Sequence, residues 1–333
     1  MDNTNTSVRS HVIIVGTGAM GRDIAAIFLA RGWTVDCISR DSSKLQEATT
    51  HIERSLMQIK APFDPKRLRV HFNYDGPSWS TADLVIETVP EDLETKRQSF
   101  SIIDSRIGPD TPVGSNASGI PISKITEGLS LRARAVGLHF FQPAHLVPLV
   151  EVVHGVDTDP VVAEQVYQVM KSVGSVPVMV NRDTPGFLAN RIQHALMREV
   201  FAVLDEGLAT ARDIDTAVRF GFGMRYVAAG PLMQKEFAGL DTQMAAAASI
   251  YPFLSQNMEP SETLKTLVNS GHFGTKSLQG IWNWTEEEVA GAKSDYDAVL
   301  METLELLNLK NRAGTLPTHR ENLRDIRSEI NNR

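Results

Sequence analysis

The segment Val12-Ile13-Ile14-Val15-Gly16-Thr17-Gly18-Ala19-Met20-Gly21 constrains this chain more than any other. A β-branched run stops at a glycine, two more glycines follow at fixed offsets, and Met20 to Arg31 then carries helical spacing. Gly16 permits a tight turn, and Gly18 lets the backbone approach a pyrophosphate. Gly21 lets the helix pack closely on the strand, and the free N–H groups at the helix start face the phosphates. Ala19 and Met20 complete that turn. Strand, glycine turn and helix in this order make a dinucleotide-binding unit.

The first half of the chain repeats the alternation. Apolar runs at Val35–Ile38, Leu84–Ile86, Val136–Phe141, Leu149–Val153 and Val176–Val180 are separated by helical stretches, among them 42–59. This predicts a parallel sheet with helices on both faces. The character changes near Asp183-Thr184-Pro185-Gly186, after which only helical patterns continue, at 187–208, 212–220, 231–250, 260–270 and 292–307. The expected organisation is an N-terminal Rossmann-like NAD(P)-binding domain over 1–182, an all-helical substrate and dimerisation domain over 183–310, and a polar tail over 311–333.

Composition narrows the class. A formal charge of −7 argues against a general nucleic-acid binder. The single Cys37 excludes an internal disulfide framework and a Cys-rich metal site, and no metal is expected. No apolar stretch approaches a membrane span, and the first ten residues are polar and read as a frayed arm, so a cytoplasmic protein is expected.

At the end of the second strand, NAD sites usually carry an acid that accepts hydrogen bonds from the ribose hydroxyls. Here Ser39 occupies that position and Arg40 follows. A small hydroxyl beside a guanidinium suits a 2′-phosphate, which favours NADP over NAD. The competing reading leaves Arg40 solvated and gives the acid's task to Asp41.

His139 ends a strand, and Glu151 lies inside the apolar run Leu149–Val153. A carboxylate in such a run needs a partner if it is buried, and the carboxyl edge of a dinucleotide sheet is where chemistry is sited. A functional pair stands here against an edge-strand Glu facing water and a satisfied core His.

Several segments together resemble the 3-hydroxyacyl-CoA dehydrogenase family in its broad sense, including L-gulonate 3-dehydrogenase (lambda-crystallin) and L-carnitine dehydrogenase. They are GTGAMG at 16–21, VPEDLETK at 89–96, SNAS at 115–118, HFFQP at 139–143, PLVEVV at 148–153, DTPGFLANR at 183–191 and FGTKSLQGIWNW at 273–284. The resemblance implies catalytic roles for His139 and Glu151, with Ser118 and Asn190 near the reacting oxygen. It places Glu91, Lys96 and Asn116 on the nicotinamide side of the cofactor. Gln142 departs from the family's usual Asn. The resemblance also implies a homodimer and a small-molecule substrate.

For that substrate the residues divide. Lys276 within FGTKSLQGIWNW suits a CoA phosphate. Segment 42–75, shorter than in the acyl-CoA members, and Pro148, where those members commonly have Lys, resemble the sugar-acid and carnitine branch instead and imply a small or cyclic hydroxy acid. Arg225 is then a candidate carboxylate clamp and His145 a candidate pocket wall. A purely structural crystallin-like role and a cofactor sensor are the remaining alternatives.

Overall fold

The computed structural model describes residues 10–312. Close contacts divide the chain into one unit reaching to residue 210 and including 254–271, and a second of 211–253 with the residues from 272 onward.

The first unit is built on one eight-stranded sheet. Its strands are β1 (His11–Val15), β2 (Thr34–Ile38), β3 (Leu68–His71), β4 (Leu84–Glu87), β5 (Val113–Ser115), β6 (Ala135–Phe140), β7 (Leu149–His154) and β8 (Val176–Val180). They lie in the order β3-β2-β1-β4-β5-β6-β7-β8. Helices α1 (Ala19–Leu29), α2 (Leu45–Gln58) and α5 (Pro160–Ser172) cover one face, while α3 (Leu93–Asp104) and the short α4 (Ile122–Ile125) cover the other. β1 shows why its run is apolar throughout. Val12 and Ile14 join the core beneath α1 and α2, and Ile13 and Val15 join the core beneath α3. A strand buried on both faces has no place for polar alternation.

The sheet departs from the all-parallel expectation at one pair: β6 and β7 are antiparallel. Only residues 141–148 join them, too few for the crossover that a parallel pair requires. Antiparallel pairing sets His139 directly opposite Glu151.

Two strands escape the sequence pattern. β3 is a short edge strand, and β5 reads Val113-Gly114-Ser115. Its glycine is required by packing, since a Cβ there would lie 2.7 Å from the Leu138 Cβ.

After β8 the named elements among the described residues are helices: α6 (Ala189–Asp205), α7 (Ala211–Ala217), α8 (Met224–Ala228), α9 (Pro231–Ala238), α10 (Leu240–Ile250), α11 (Glu262–Asn269) and α12 (Glu286–Arg312). α6 and α11 belong to the first unit. The Asp205 carboxylate near the end of α6 accepts from the Glu262 and Thr263 N–H groups at the start of α11. The single helix expected over 231–250 is two, broken at Gly239, whose φ of 91° is open to glycine at little cost. A wide π-turn, Val218–Gly223, joins α7 to α8. No helix among the described residues is long and apolar enough to cross a membrane. The first two residues of the expected polar tail, Asn311 and Arg312, are the end of α12; 313–333 lie outside the described residues, as do residues 1–9 of the expected arm.

Candidate active site

The glycine turn opens a groove of about 440 Å³ where the strand order reverses between β1 and β4, the place where open α/β sheets bind ligands. Gly16, Gly18, Ala19 and Met20 line it, with Ser39 and Arg40 from the end of β2 and Thr88 to Pro90 from the end of β4. The three glycines differ in cause. A Cβ on Gly16, at φ 114°, would lie 2.6 Å from Thr88 Oγ1, and one on Gly21 only 2.1 Å from the Gly16 carbonyl oxygen. A Cβ on Gly18 would meet nothing within 4 Å. Gly16 and Gly21 are therefore demanded by the protein's own packing, whereas Gly18 faces the open groove. No side chain caps α1, so its first N–H groups remain available to an anion. The residues fit a bound dinucleotide.

At the groove's far end the geometry corrects one expectation. The Ser39 hydroxyl donates to the Asp41 carbonyl (3.0 Å) and accepts from the Asp41 N–H (3.2 Å). It closes its own turn rather than facing a ligand. Arg40 is exposed. The Asp41 carboxylate caps the following turn through the Ser43 hydroxyl and N–H, at 2.6 and 3.0 Å, and these bonds hold its pKa below the usual value.

A buried charge cluster lies at the ends of β4 and β5. Lys96 on α3 is 0% exposed, and its ammonium donates to Glu87 Oε1 (3.0 Å), Glu87 Oε2 (3.2 Å) and the Val89 carbonyl (3.2 Å). Ser115 Oγ donates to the same carboxylate at 2.6 Å. Burial raises the Glu87 pKa despite Lys96 and Ser115. Contrary to what the resemblance implies, Lys96 does not line the cofactor groove; its charge answers that of Glu87. Glu91 stands 3.5 Å from Lys96 and accepts from the Ser118 and Gly119 N–H groups, both at 2.9 Å. It fixes the loop after β5 that carries Ser118, whose side chain is left exposed. In the same loop, Asn116 Oδ1 accepts from the Phe140 N–H at 2.8 Å, tying this loop to β6 next to His139.

His139 Nδ1 donates to Glu151 Oε2 at 2.7 Å, with His139 4% and Glu151 0% exposed. The other carboxylate oxygen accepts from the Leu188 N–H (3.0 Å) and the Ala189 N–H (2.7 Å) at the start of α6. Gly186 and Phe187, both at positive φ, bend the chain there. A helix N-terminus is a favourable place for a buried carboxylate. With Nδ1 donating, the neutral ring carries its lone pair on Nε2, for which no protein partner is found among the described residues. Phe141 and Phe187 flank the imidazole at ring-centre distances of 4.5 and 5.6 Å. Asn190 follows Ala189 in the first turn of α6.

Gln142 is exposed at the start of the 141–148 connection. The His145 ring is turned into the fold: its Nε2 lies 2.7 Å from Gln58 Oε1, and its buried Nδ1 stands 3.1 Å from Asp23 Oδ1 without hydrogen-bonding it. Arg225 and Lys276 belong to the second unit and are exposed within it. Arg225 Nε donates to the Gly221 carbonyl at 3.0 Å. Sequence reasoning missed Glu87 and Ser115, and also the Leu188 and Ala189 N–H groups. An acid at the end of a central strand was the one available signal for Glu87; backbone donors leave none.

A glycine-turn groove and a buried His–Glu pair on one sheet edge define a nicotinamide-dinucleotide dehydrogenase. The family model for the 3-hydroxyacyl-CoA dehydrogenase NAD binding domain matches residues 11–184, and that for the family's C-terminal domain matches 186–284. The chain belongs to the 3-hydroxyacyl-CoA dehydrogenase family and is an NAD-dependent oxidoreductase. It is 33% identical over 293 residues to the 5-formyl-3-hydroxy-2-methylpyridine 4-carboxylate 5-dehydrogenase of Mesorhizobium japonicum, covering 86% of this chain and 94% of that protein. The human mitochondrial hydroxyacyl-coenzyme A dehydrogenase is 29% identical, covering 82% of this chain and 91% of its own. Among solved structures, a 5-formyl-3-hydroxy-2-methylpyridine 4-carboxylic acid 5-dehydrogenase, described as an NAD+-dependent dismutase, superposes with a TM-score of 0.85. That match is 30% identical and covers 90% of this chain and 98% of the other. The (S)-3-hydroxybutyryl-CoA dehydrogenase of Ralstonia eutropha gives 0.68 at 29% identity, covering 84% and 100%.

Proposed function

We propose that this enzyme interconverts a secondary alcohol and a ketone on a small or cyclic hydroxy acid, with His139 as the general base and Glu151 as its partner. The reading rests on one observation: Nδ1 of His139 is bound to a buried carboxylate, which leaves Nε2 as the basic nitrogen. Nε2 takes the hydroxyl proton, and Glu151 stabilises the imidazolium that forms. Ser118 and Asn190 orient the reacting oxygen and support its developing charge. A bound nicotinamide dinucleotide, held by Gly16, Gly18, Ala19 and Met20 with Asn116 and Glu91 ordering the neighbouring loop, supplies the hydride acceptor. An aldehyde hydrate offers the same O–H and C–H as a secondary alcohol, so formyl-bearing acids belong in the same substrate class.

The small-acid reading is supported by α2. It is the sole helix between β2 and β3 longer than one turn, and it carries Glu47 and Glu53 beside Arg54. That surface is poorly suited to a phosphorylated nucleotide. The similarity to an enzyme named for a pyridine carboxylate supports it further. Arg225 is the proposed carboxylate clamp, since a guanidinium binds a carboxylate in two parallel hydrogen bonds. The second reading is a CoA thioester with Lys276 on a phosphate, favoured by relatives named for such substrates.

The finer cofactor reading is a preference for NADP, although the family model is of an NAD binding domain and one solved relative is described as NAD+-dependent. It rests on Arg40 and Lys44 in the groove, no acid at residue 39, and an Asp41 engaged in capping. A homodimer joined through exposed apolar side chains of the second unit, such as Phe220, Phe237 and Met244, completes the proposal, in the cytoplasm where a lone buried Cys37 meets no oxidant.

The test is calorimetric titration with NAD and NADP, followed by turnover of 3-hydroxybutyryl-CoA against free hydroxy acids and formyl-substituted aromatic acids. Turnover of free acids alone, weakened by Arg225→Leu through KM, is expected. Turnover of the thioester alone would establish the second reading, and a clear NAD preference would remove the NADP proposal.

A further inference from the structure

The connection 141–148 joins the strands that carry His139 and Glu151, and it is fastened by a group the proposed chemistry does not use. Asp23 lies on α1, two residues past the last glycine of the turn, and is 3% exposed. Its Oδ1 accepts from His51 Nε2 (2.9 Å) and Ser55 Oγ (3.1 Å), both on α2. Its Oδ2 accepts from the Ala144 N–H at 3.2 Å. His145 Nδ1 makes an ion-pair contact of 3.1 Å with Oδ1, and the Gln58 amide oxygen at the end of α2 stands 2.7 Å from Nε2 of the same ring. One carboxylate thus receives donors from α2 and from the middle of the connection. Burial alone would raise its pKa, but the contacts with His145 and His51 outweigh it and hold Asp23 well below the usual carboxylate range.

An ionised carboxylate is acceptor-only, which suits three converging donors with the His145 ring beside them. Asparagine would turn an N–H₂ toward some of them. The buried Ala144 and Leu146 on either side of His145 are packed in place.

We infer that Asp23, His51 and His145 are positioning residues that fasten the 141–148 connection to the helix pair beneath the dinucleotide groove, and so fix the substrate wall beside His139. The inference rests on the proposed role of His139. It adds that substrate placement depends on a contact running through α1, the helix that receives the dinucleotide phosphates.

The test uses the full chain with His145→Leu, His145→Asn and Asp23→Asn, followed by amide hydrogen exchange and by steady-state kinetics. His145→Leu is expected to speed exchange at Ala144 by tenfold or more, roughly the loss of one local restraint. It should also cut kcat/KM by up to about 10²-fold through KM, the scale of a misplaced substrate, with dinucleotide affinity unchanged. His145→Asn keeps a polar group beside Asp23 and is expected to restore both readouts to within about threefold. Asp23→Asn should match or exceed His145→Leu in exchange, and if it does not fold the histidine pair decides. Wild-type exchange at Ala144 in folded His145→Leu would overturn the inference. So would faster exchange with unchanged KM, or no rescue by His145→Asn. If wild type turns over no alcohol at all, the proposed function fails, while exchange at Ala144 still reads the fastening.

Discussion

Replacing Glu151 by glutamine separates charge and tautomer from shape. The wild-type carboxylate accepts three hydrogen bonds: Oε2 from His139 Nδ1, and Oε1 from the Leu188 and Ala189 N–H groups. The two backbone donors pin an oxygen at the Oε1 position, so the glutamine N–H₂ must take the place of Oε2. It then donates to Nδ1, the ring proton moves to Nε2, and the basic nitrogen toward the substrate is lost. The corresponding Asp→Asn exchange in a Ser-His-Asp triad costs about 10⁴-fold in kcat. A His–Glu pair asked to do the same work should lose about 10³–10⁴-fold, or about 4–5.5 kcal/mol of barrier. The backbone donors stay satisfied, so folding is retained. Dinucleotide affinity should stay within about twofold, because the site does not share its contacts. Steady-state nicotinamide absorbance, with calorimetric titration of the dinucleotide, reads both quantities. A kcat within about tenfold of wild type would refute the tautomer argument.

Gly18→Ala should leave stability near wild type and weaken dinucleotide binding, because its Cβ meets only open groove; Gly21→Ala should cost roughly 1–3 kcal/mol of stability, as its Cβ meets a backbone carbonyl. Thermal melts with and without dinucleotide distinguish them, and equal melts for the two variants would be the wrong result. Lys96→Met leaves Glu87 buried without its cation and should destabilise by about 3–5 kcal/mol, measured by urea denaturation, with Glu87→Gln in the same chain recovering most of it. Acid should expose a third group. Burial would raise the pKa of Asp36, but hydrogen bonds from His11, His71 and Arg69 outweigh it and hold the carboxyl at about 2. Because this folded value lies below the unfolded one, the stabilisation is complete above about pH 4 and is lost as pH falls toward 2, a change of roughly 2 kcal/mol. The stability gap between wild type and Asp36→Asn should narrow over that interval, and a gap constant with pH would contradict this.

The glycine turn was legible because backbone sterics leave few alternatives at Gly16 and Gly21. The His139 and Glu151 candidates were legible as polar residues in apolar runs. Their antiparallel pairing was not, since strand direction follows from the short 141–148 connection rather than from either strand's own pattern. β3 and β5 are too short for periodicity to register. Lys96 was misplaced because its position in a motif says nothing about where its ammonium points; only the fold reveals Glu87 beneath it. Ser39 was legible as the absence of an acid, but not as a hydroxyl closed on its own turn. Asp23, His51 and His145 are far apart in sequence, and no local signal links them.

The most direct measurement is single-turnover oxidation of the best panel substrate, deuterated at the carbinol carbon, by wild type and by His139→Gln. Wild type should transfer deuterium to the nicotinamide, and His139→Gln should bind the dinucleotide normally and do so about 10²–10⁴-fold more slowly. A folded His139→Gln protein that transfers deuterium within about tenfold of the wild-type rate would contradict the assignment of His139 as the base.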